Sequence, residues 1–326
     1  MNVSVIMATY NGNRYIYEQL LSIVKQTKKP DEIIIIDDAS IDDTIKIVHK
    51  FVEGYPNIKW KVTKNSHNIG WKNNFFNLIK KAKGDLIFYC DQDDIWKLDR
   101  IEQSIKIFHE NIGISCLLCN YDGIDEYGNY IDRSKKKDNY AIWKISYGDK
   151  SSHSALGCLL VFNTEVKDML MQFIGEEYFS ILPVDLAIAR AACVLDGFYR
   201  VNLALVKHRF HQFNASNSID VAGHIVGSNS LQNKKDYIYY DLKLMQLFSS
   251  YKGFNEKSCK YEKFLSARKN FINNGDCKSL IKELYHISLD YRLILILGDI
   301  AYFYGFNIFA GKVYSVLSKI NTFWSY

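Results

Sequence analysis

Four consecutive residues, Asp91-Gln92-Asp93-Asp94, place three carboxylates directly after an apolar run. Side chains alternate along an extended chain, so Asp91 and Asp93 can point the same way and share one cation. Hard dications prefer oxygen ligands, and Mg²⁺ or Mn²⁺ commonly binds one or two carboxylates together with substrate phosphates. A polar turn that caps the next helix is the competing interpretation. The block predicts a divalent-metal site, with that alternative open.

A second acidic block, 36–40 (IDDAS), also follows an apolar run. A carboxylate at such a strand end can accept hydrogen bonds from a pyrimidine N–H or from ribose hydroxyls. Ser40 has a competing explanation as the cap of the following helix, whereas Asp38 lies too early in the chain for that role. Polar turns at 8–12 (ATYNG) and 65–70 (NSHNIG) accompany this block. The candidate ligand-binding residues at these three places are Thr9, Tyr10, Asn11, Asp38 and Asn68.

These motifs follow regularly alternating elements. Apolar runs without polar alternation predict buried parallel strands at 3–9, 32–38, 58–63 and 85–90. Helical apolar spacing predicts helices at 14–26, 41–53, 71–83 and 97–109. This alternation is typical of right-handed βαβ units in a doubly wound, mostly parallel sheet, where ligands bind beyond the carboxyl ends of the strands.

The rest of the chain is less regular. We expect strands at 114–121, 157–162 and 198–207, a hairpin turn at 125–130, an irregular stretch at 133–155, and helices at 164–173 and 185–195. From about residue 228 the apolar pattern is helical. The sequence predicts one α/β domain over 1–220 and a helical C-terminal extension over 221–326.

Composition excludes several classes of protein. The 326 residues are 48% hydrophobic and 24% charged, which is inconsistent with a disordered chain. A net charge of +5 is too mild for a nucleic-acid binder, and no partner of that kind is expected. Neither a G-x-G-x-x-G nor a P-loop motif follows a strand, which argues against a dehydrogenase or a P-loop enzyme. Seven cysteines in mostly apolar surroundings, and no basic leader segment, predict free thiols in a reducing cytoplasm.

Five segments in a fixed order carry a family resemblance: VSVIMATYNG, EIIIIDDASIDDT, NIGWKNNF, AKGDLIFYCDQDDIW and HRFHQFN. Together they resemble the family-2 inverting glycosyltransferases with the A-type nucleotide-sugar fold. The D-Q-D-D-I-W block is similar to that of the rhamnosyltransferase-like branch of bacterial surface-polysaccharide enzymes. The resemblance covers residues 3 to about 217 and implies a nucleotide-sugar-binding domain.

The resemblance also implies roles for individual residues. Tyr10 and Asp38 would hold the nucleobase, with backbone contacts from Thr9. Asp91 would lie near the ribose and the metal, and Asp93 would be the main metal ligand.

Two later segments would complete the site. Asp185 would match the catalytic base, although an N-cap for the helix from Leu186 is the competing explanation. In the 208–214 segment, His211 would approach the metal or the diphosphate, and Arg209 the diphosphate. His208 departs from the tyrosine of the family pattern, so its role is open.

The implied reaction is inverting, metal-dependent transfer of a sugar from dTDP-rhamnose or a UDP-sugar to a glycan acceptor, with Mg²⁺ or Mn²⁺ as cofactor. A lipid-linked acceptor would place the enzyme at the inner face of the cell membrane. Two alternatives are a non-catalytic nucleotide-sugar-binding scaffold of the same fold and a sugar nucleotidyltransferase. Asp185, Arg209 and His211 argue against the scaffold, and the absence of a Gly-rich, Arg-containing first turn argues against the nucleotidyltransferase.

One C-terminal segment, 293–311, is apolar and aromatic with a single charge, Asp299. Peripheral contact with a membrane and packing on the catalytic domain are both open for it. A spanning helix is disfavoured by Asp299 and by the glycines at 298, 305 and 311.

Overall fold

The computed structural model describes residues 1–131, 140–147, 156–212, 231–276 and 278. The chain divides into two compact units, one formed by Met1–Ile145 with Ala155–His211 and the other by Ser146–Ser154 with Gln212–Tyr326. The predicted boundary at 220/221 and the apolar segment 293–311 lie outside the described residues.

Four parallel strands lie in the order β3-β2-β1-β4 in the first unit. Their bounds are Val3–Thr9 (β1), Glu32–Asp37 (β2), Trp60–Lys64 (β3) and Leu86–Cys90 (β4). All residues of β2 and β4 are buried, as expected for strands covered on both faces. The α/β fold with a large, mostly parallel central sheet is therefore confirmed.

Each of these strands is followed by a helix close to its predicted position. The helices are Ile16–Val24 (α1), Thr44–Glu53 (α2), Trp71–Lys81 (α3) and Arg100–Glu110 (α4). Helix α4 begins three residues later than predicted, and Ile95–Trp96 before it forms a short strand, β5. That strand pairs with a distant part of the chain, which local sequence does not reveal.

The sheet continues beyond β4 with strands from later in the chain, in the order β4-β8-β6-β9-β5, and β7 pairs with β9. Their bounds are Cys116–Ile124 (β6), Ile142–Lys144 (β7), Leu160–Asn163 (β8) and Phe198–Arg209 (β9). Strand β7 corrects part of the stretch predicted to be irregular. Helices Thr164–Phe173 (α5) and Val184–Val194 (α6) lie between β8 and β9.

The described residues of the second unit include two helices, Leu231–Phe248 (α7) and Glu256–Asn274 (α8). Asn255 caps α8, and the Tyr261 hydroxyl donates to the buried Asp241 carboxylate at 2.6 Å. Among the described helices, none is both long and apolar enough to cross a bilayer. The described cysteines are free, and Cys259 is exposed while the others are buried.

Candidate donor and metal site

Asp37 organises the loop that follows β2. Its carboxylate is buried and accepts hydrogen bonds from Thr9 Oγ1 at 2.9 Å, Ser40 N at 2.9 Å and Ser40 Oγ at 2.5 Å. Ala39, which lies between Asp37 and Ser40 in the chain, has a φ of 62°, a left-handed conformation that is unfavourable for alanine. The Asp37 network holds the loop in this conformation.

The turn after β1 packs against the same loop. Asn11 N donates to Ser40 Oγ at 2.9 Å, and Ile41 N donates to Asn11 Oδ1 at 3.0 Å. Asn11 itself has a φ of 46°, which asparagine tolerates better than most residues. The amide of Asn11 therefore serves to join two loops at the carboxyl ends of β1 and β2.

Gln92 fixes the exposed residue Tyr10. The Gln92 side chain accepts from Tyr10 N at 2.9 Å and donates to Tyr10 O at 3.0 Å. A Cβ atom on Gly12 would lie 2.2 Å from Gln92 Oε1, so this approach requires glycine. The Tyr10 side chain remains 46% exposed and available to a ligand.

Asp38 is turned toward the loop before α3. Its carboxylate accepts from Asn65 Nδ2 at 2.9 Å, Ile69 N at 2.9 Å and Gly70 N at 2.8 Å. Asn68 Oδ1 accepts from the same Gly70 N–H at 3.0 Å. Asp38 thus holds together the polar turn from which the sequence predicts further donor contacts.

Asp93 and His211 meet although they lie far apart in sequence. Asp93 Oδ2 is 2.9 Å from His211 Nε2, across 118 residues of chain. Burial, together with the negative charges of Asp93 and Asp94, raises the pKa of Asp91 well above its usual value. The structure therefore brings three carboxylates close together at this position.

Asp94 lies fully buried behind this pair. Asp94 Oδ1 contacts His208 Nδ1 at 2.9 Å and accepts from Arg209 N at 3.0 Å. Burial lowers the His208 pKa, but the hydrogen bond to Asp94 and the negative charges of Asp94, Asp91 and Asp93 together outweigh burial, and the His208 pKa is raised. Cys158 Sγ lies 3.8 Å from His208 Nδ1, and potential ligand atoms of these three residues fall within 4.8 Å of one another. The Asp94–His208 hydrogen bond accounts for the closest of these contacts.

The Arg209 guanidinium points into the protein. It donates to Asp93 O at 2.8 Å, to the Glu18 carboxylate at 2.6 Å and to Glu126 O at 3.2 Å. It also lies 4.6 Å from the ring centroid of Tyr15, and its side chain is 1% exposed. Arg209 therefore connects the 91–94 loop, α1 and the turn after β6. This buried position differs from the solvent-exposed position expected of an arginine that binds a diphosphate.

Asp185 lies in the first turn of α6. Its Oδ1 accepts from Leu186 N at 2.8 Å. Because the helix begins at Val184 with Pro183 as its N-cap residue, Asp185 is not the N-cap of a helix from Leu186. Burial raises the Asp185 pKa to about 6, against the opposing effects of nearby backbone N–H groups and of Lys72. Asp185 in turn raises the pKa of Asp91, which shows that the two carboxylates interact. The structure thus brings Asp185 to the acidic cluster.

Sequence reasoning missed three supports of this site. Alternation indicates that Gln92 points away from Asp91 and Asp93, but it does not indicate the contact with Tyr10. Asp37 stands in the sequence as one member of an acidic block, and His208 as a departure from the tyrosine of the family pattern. No local signal indicates the Asp94–His208 pair, because its members lie 114 residues apart.

Solved structures identify the fold. The chain matches Staphylococcus aureus TarS (residues 1–349) with a TM-score of 0.57 and 16% identity, over 94% of this chain and 92% of the other. It matches the mannosyltransferase PcManGT of Pyrobaculum calidifontis with a TM-score of 0.53 and 15% identity, over 98% and 88% of the two chains. The fold is that of the A-type glycosyltransferases.

The family follows from sequence. Residues 4–163 match the model described as glycosyl transferase family 2, so the chain carries a domain of that family, as its motifs indicated.

Two curated relatives support this assignment. The dTDP-rhamnosyl transferase RfbG of Shigella flexneri is 32% identical over 173 residues, which are 52% of this chain and 57% of that protein. The glucosyltransferase WfaP of Escherichia coli is 29% identical over 248 residues, 68% of this chain and 88% of that protein.

Proposed function

We propose that this protein is an inverting, metal-dependent glycosyltransferase that transfers a sugar from dTDP-rhamnose or a UDP-sugar to a glycan acceptor in bacterial surface-polysaccharide synthesis. The observation that carries the proposal is the 2.9 Å contact between Asp93 and His211. This contact brings together the two predicted metal ligands. The negative charges of Asp93 and Asp185 both raise the pKa of the neighbouring Asp91.

The relatives suggest the substrate classes. RfbG is described as a dTDP-rhamnosyl transferase, and WfaP as a glucosyltransferase that uses UDP-Glc and a diphosphoundecaprenol-linked GlcNAc. TarS was crystallised with UDP-GlcNAc. A lipid-linked acceptor of this kind would be met at the inner face of the cell membrane, and we propose that location for this protein.

The spacing of two of the proposed donor atoms fits a divalent cation. Adjacent ligands of an octahedral ion with bonds of about 2.1 Å are separated by about 3 Å, and Asp93 Oδ2 and His211 Nε2 are 2.9 Å apart. Asp93, His211 and Asp91 would hold the ion. When bound, it would offset the negative charge that develops on the leaving diphosphate. A mixed carboxylate and imidazole set favours Mn²⁺ over Mg²⁺, because Mg²⁺ prefers oxygen ligands.

The protein's own groups supply the remaining chemistry. Asp185 would accept the proton of the acceptor hydroxyl as that oxygen attacks the anomeric carbon. A pKa of about 6 leaves most of the carboxylate ionised at neutral pH while keeping its basicity close to the working range. The rigid Tyr10–Asn11 turn and the Asp38–Asn68 turn would bind the nucleoside. Arg209 would support diphosphate binding indirectly, because it holds the Asp93 backbone in place.

Turnover of a panel of nucleotide sugars tests the proposal. Release of nucleoside diphosphate from dTDP-rhamnose, UDP-glucose and UDP-GlcNAc should require Mn²⁺ or Mg²⁺ and stop with a chelator. Binding without turnover, even with an acceptor glycan, would favour the scaffold. Formation of a nucleotide sugar from a sugar phosphate and a nucleoside triphosphate, with release of pyrophosphate, would favour the nucleotidyltransferase.

Membrane contact has a separate test. We propose that segment 293–311 binds reversibly to anionic bilayers, because aromatic residues and nearby lysines favour the interface. The full-length protein should float with anionic vesicles. If it stays behind, and deletion of 290–326 instead unfolds the protein, the segment packs as core.

A further inference from the structure

One face of α3 contacts the 176–181 segment, which leads to Asp185. Lys72, Phe76 and Lys80 are four residues apart, so they lie along one side of the helix. Lys72 Nζ donates to Ile181 O at 2.8 Å, and Lys80 Nζ pairs with Glu176 Oε1 at 2.8 Å.

Between these two contacts, the Phe76 ring stacks on Phe179 with centroids 4.3 Å apart and an angle of 6°. The helix and the 176–181 segment therefore run in opposite directions, with three contacts in register.

The residues between the α3 contacts and the proposed base are held in place by burial. Leu182 and Val184 are fully buried, and α6 begins at Val184. Asp185 therefore follows the last contact, at Ile181, by only four residues. The position of the Ile181 carbonyl sets the entry of the chain into the first turn of α6.

The two lysines on this face differ in their surroundings. The Lys80–Glu176 pair is exposed, with side chains 59% and 76% accessible, and such pairs contribute little to stability. Lys72 is half-buried: burial lowers its pKa, and the negative charge of Asp185 opposes that effect. A lysine in the first turn of a helix is also unfavourable with respect to the helix dipole, so this placement carries a local cost.

We propose that Lys72 is a positioning residue for the base Asp185, holding the Ile181 carbonyl by its ammonium group while its charge faces the Asp185 carboxylate. The inference depends on the proposed function, in which Asp185 takes the acceptor proton. It assigns to α3 a part in the chemical step in addition to its place beside the nucleoside-binding turn.

Three variants test the proposal: Lys72→Met, Lys72→Arg and the matched control Lys80→Met. Lys72→Met should lower kcat by about 10–100-fold, the range expected when a catalytic group is displaced, with unchanged donor KM and nucleoside-diphosphate affinity. Lys72→Arg should restore most of the rate because it keeps the charge and a donor. Lys80→Met should stay within about twofold of wild type, since its ion pair is exposed.

Hydrogen exchange provides a readout that does not depend on activity. Amides in 179–187 should exchange faster in Lys72→Met than in Lys80→Met. Equal kcat losses in the two variants, a wild-type kcat in Lys72→Met, or unchanged exchange would overturn the proposal. Failure of the proposed function is distinguished by Asp185→Asn: if that variant keeps its turnover, Asp185 is not the base, whatever Lys72 does.

Discussion

Two halves of the site satisfy their carboxylates in opposite ways. In the nucleotide half, formed by the loops around Asp37 and Asp38, each of these carboxylates accepts three hydrogen bonds from uncharged donors. In the proposed metal half, formed by 91–94 and 208–211, three carboxylates are crowded, and burial and mutual repulsion raise the Asp91 pKa. The carboxylates of the nucleotide half are satisfied by neutral donors, whereas Asp94 and Asp93 of the metal half contact the histidines His208 and His211.

Asp185→Asn should have the largest effect, because it removes the proposed base beside the metal half. Turnover is expected to fall by about 10²–10⁴-fold, and nucleoside-diphosphate affinity should hardly change, since a base acts in the transition state. Steady-state kinetics with calorimetry of UDP or dTDP binding measures both. A variant that keeps more than about a tenth of the rate contradicts the assignment.

Asp93→Ala should separate the two halves. In wild type, Mn²⁺ is expected to strengthen binding of a nucleoside diphosphate by about 10–100-fold, an estimate of roughly 1.4–2.7 kcal/mol. The variant should lose this dependence and keep the weaker, metal-independent affinity. Titration calorimetry with and without Mn²⁺ is the measurement. Equal affinities in wild type under both conditions would remove the metal from the mechanism.

Asp37→Ala should damage the nucleotide half through the fold rather than through the metal. The Thr9 hydroxyl and the Ser40 N–H would lose their buried acceptor, at a cost of about 2 kcal/mol in the free energy of unfolding. Urea denaturation detects this loss. Addition of Mn²⁺ should not reverse it, and full rescue by Mn²⁺ would show that the two halves are not independent.

Acid should reduce activity through protonation of Asp185. With the Asp185 pKa at about 6, kcat/KM should fall by about tenfold per pH unit below that value. Because the folded-state pKa is raised, stability from this group is full below the unfolded value near 3.8 and declines as pH rises through about 6. Asp185→Asn should therefore melt higher than wild type at pH 8, and the gain should vanish near pH 4. An activity profile flat down to pH 5 contradicts this prediction.

Local pattern was sufficient for the first half of the sheet. Strands β1 to β4 and their helices appear within about three residues of their predicted positions, because each is a short apolar run or an amphipathic repeat. The order β4-β8-β6-β9-β5 was not predictable in this way. Pairing of Ile95–Trp96 with Val206 and Lys207 joins residues too far apart for periodicity to indicate.

The functional site likewise has features that the sequence predicts and features that it does not. The sequence indicated which side chains could bind a nucleotide and a metal, and a family resemblance supplied candidate roles. It gave no sign that the Arg209 side chain would be buried against Glu18, or that Lys72 would reach Ile181. Such contacts depend on how helices pack on the sheet, and charged residue types alone do not distinguish a ligand-binding side chain from a buried support.

The long separation between Asp93 and His211 has a consequence during synthesis. The acidic loop leaves the ribosome 118 residues before its histidine partner. At roughly 5–20 residues per second, that interval is about 6–24 s. During this interval the nascent chain contains the acidic loop but lacks His208, Arg209 and His211. The complete donor site therefore forms only after β9 has been synthesised and has joined the sheet. Ribosome-bound chains that stop before that strand should hold the nucleotide loops but not the complete site.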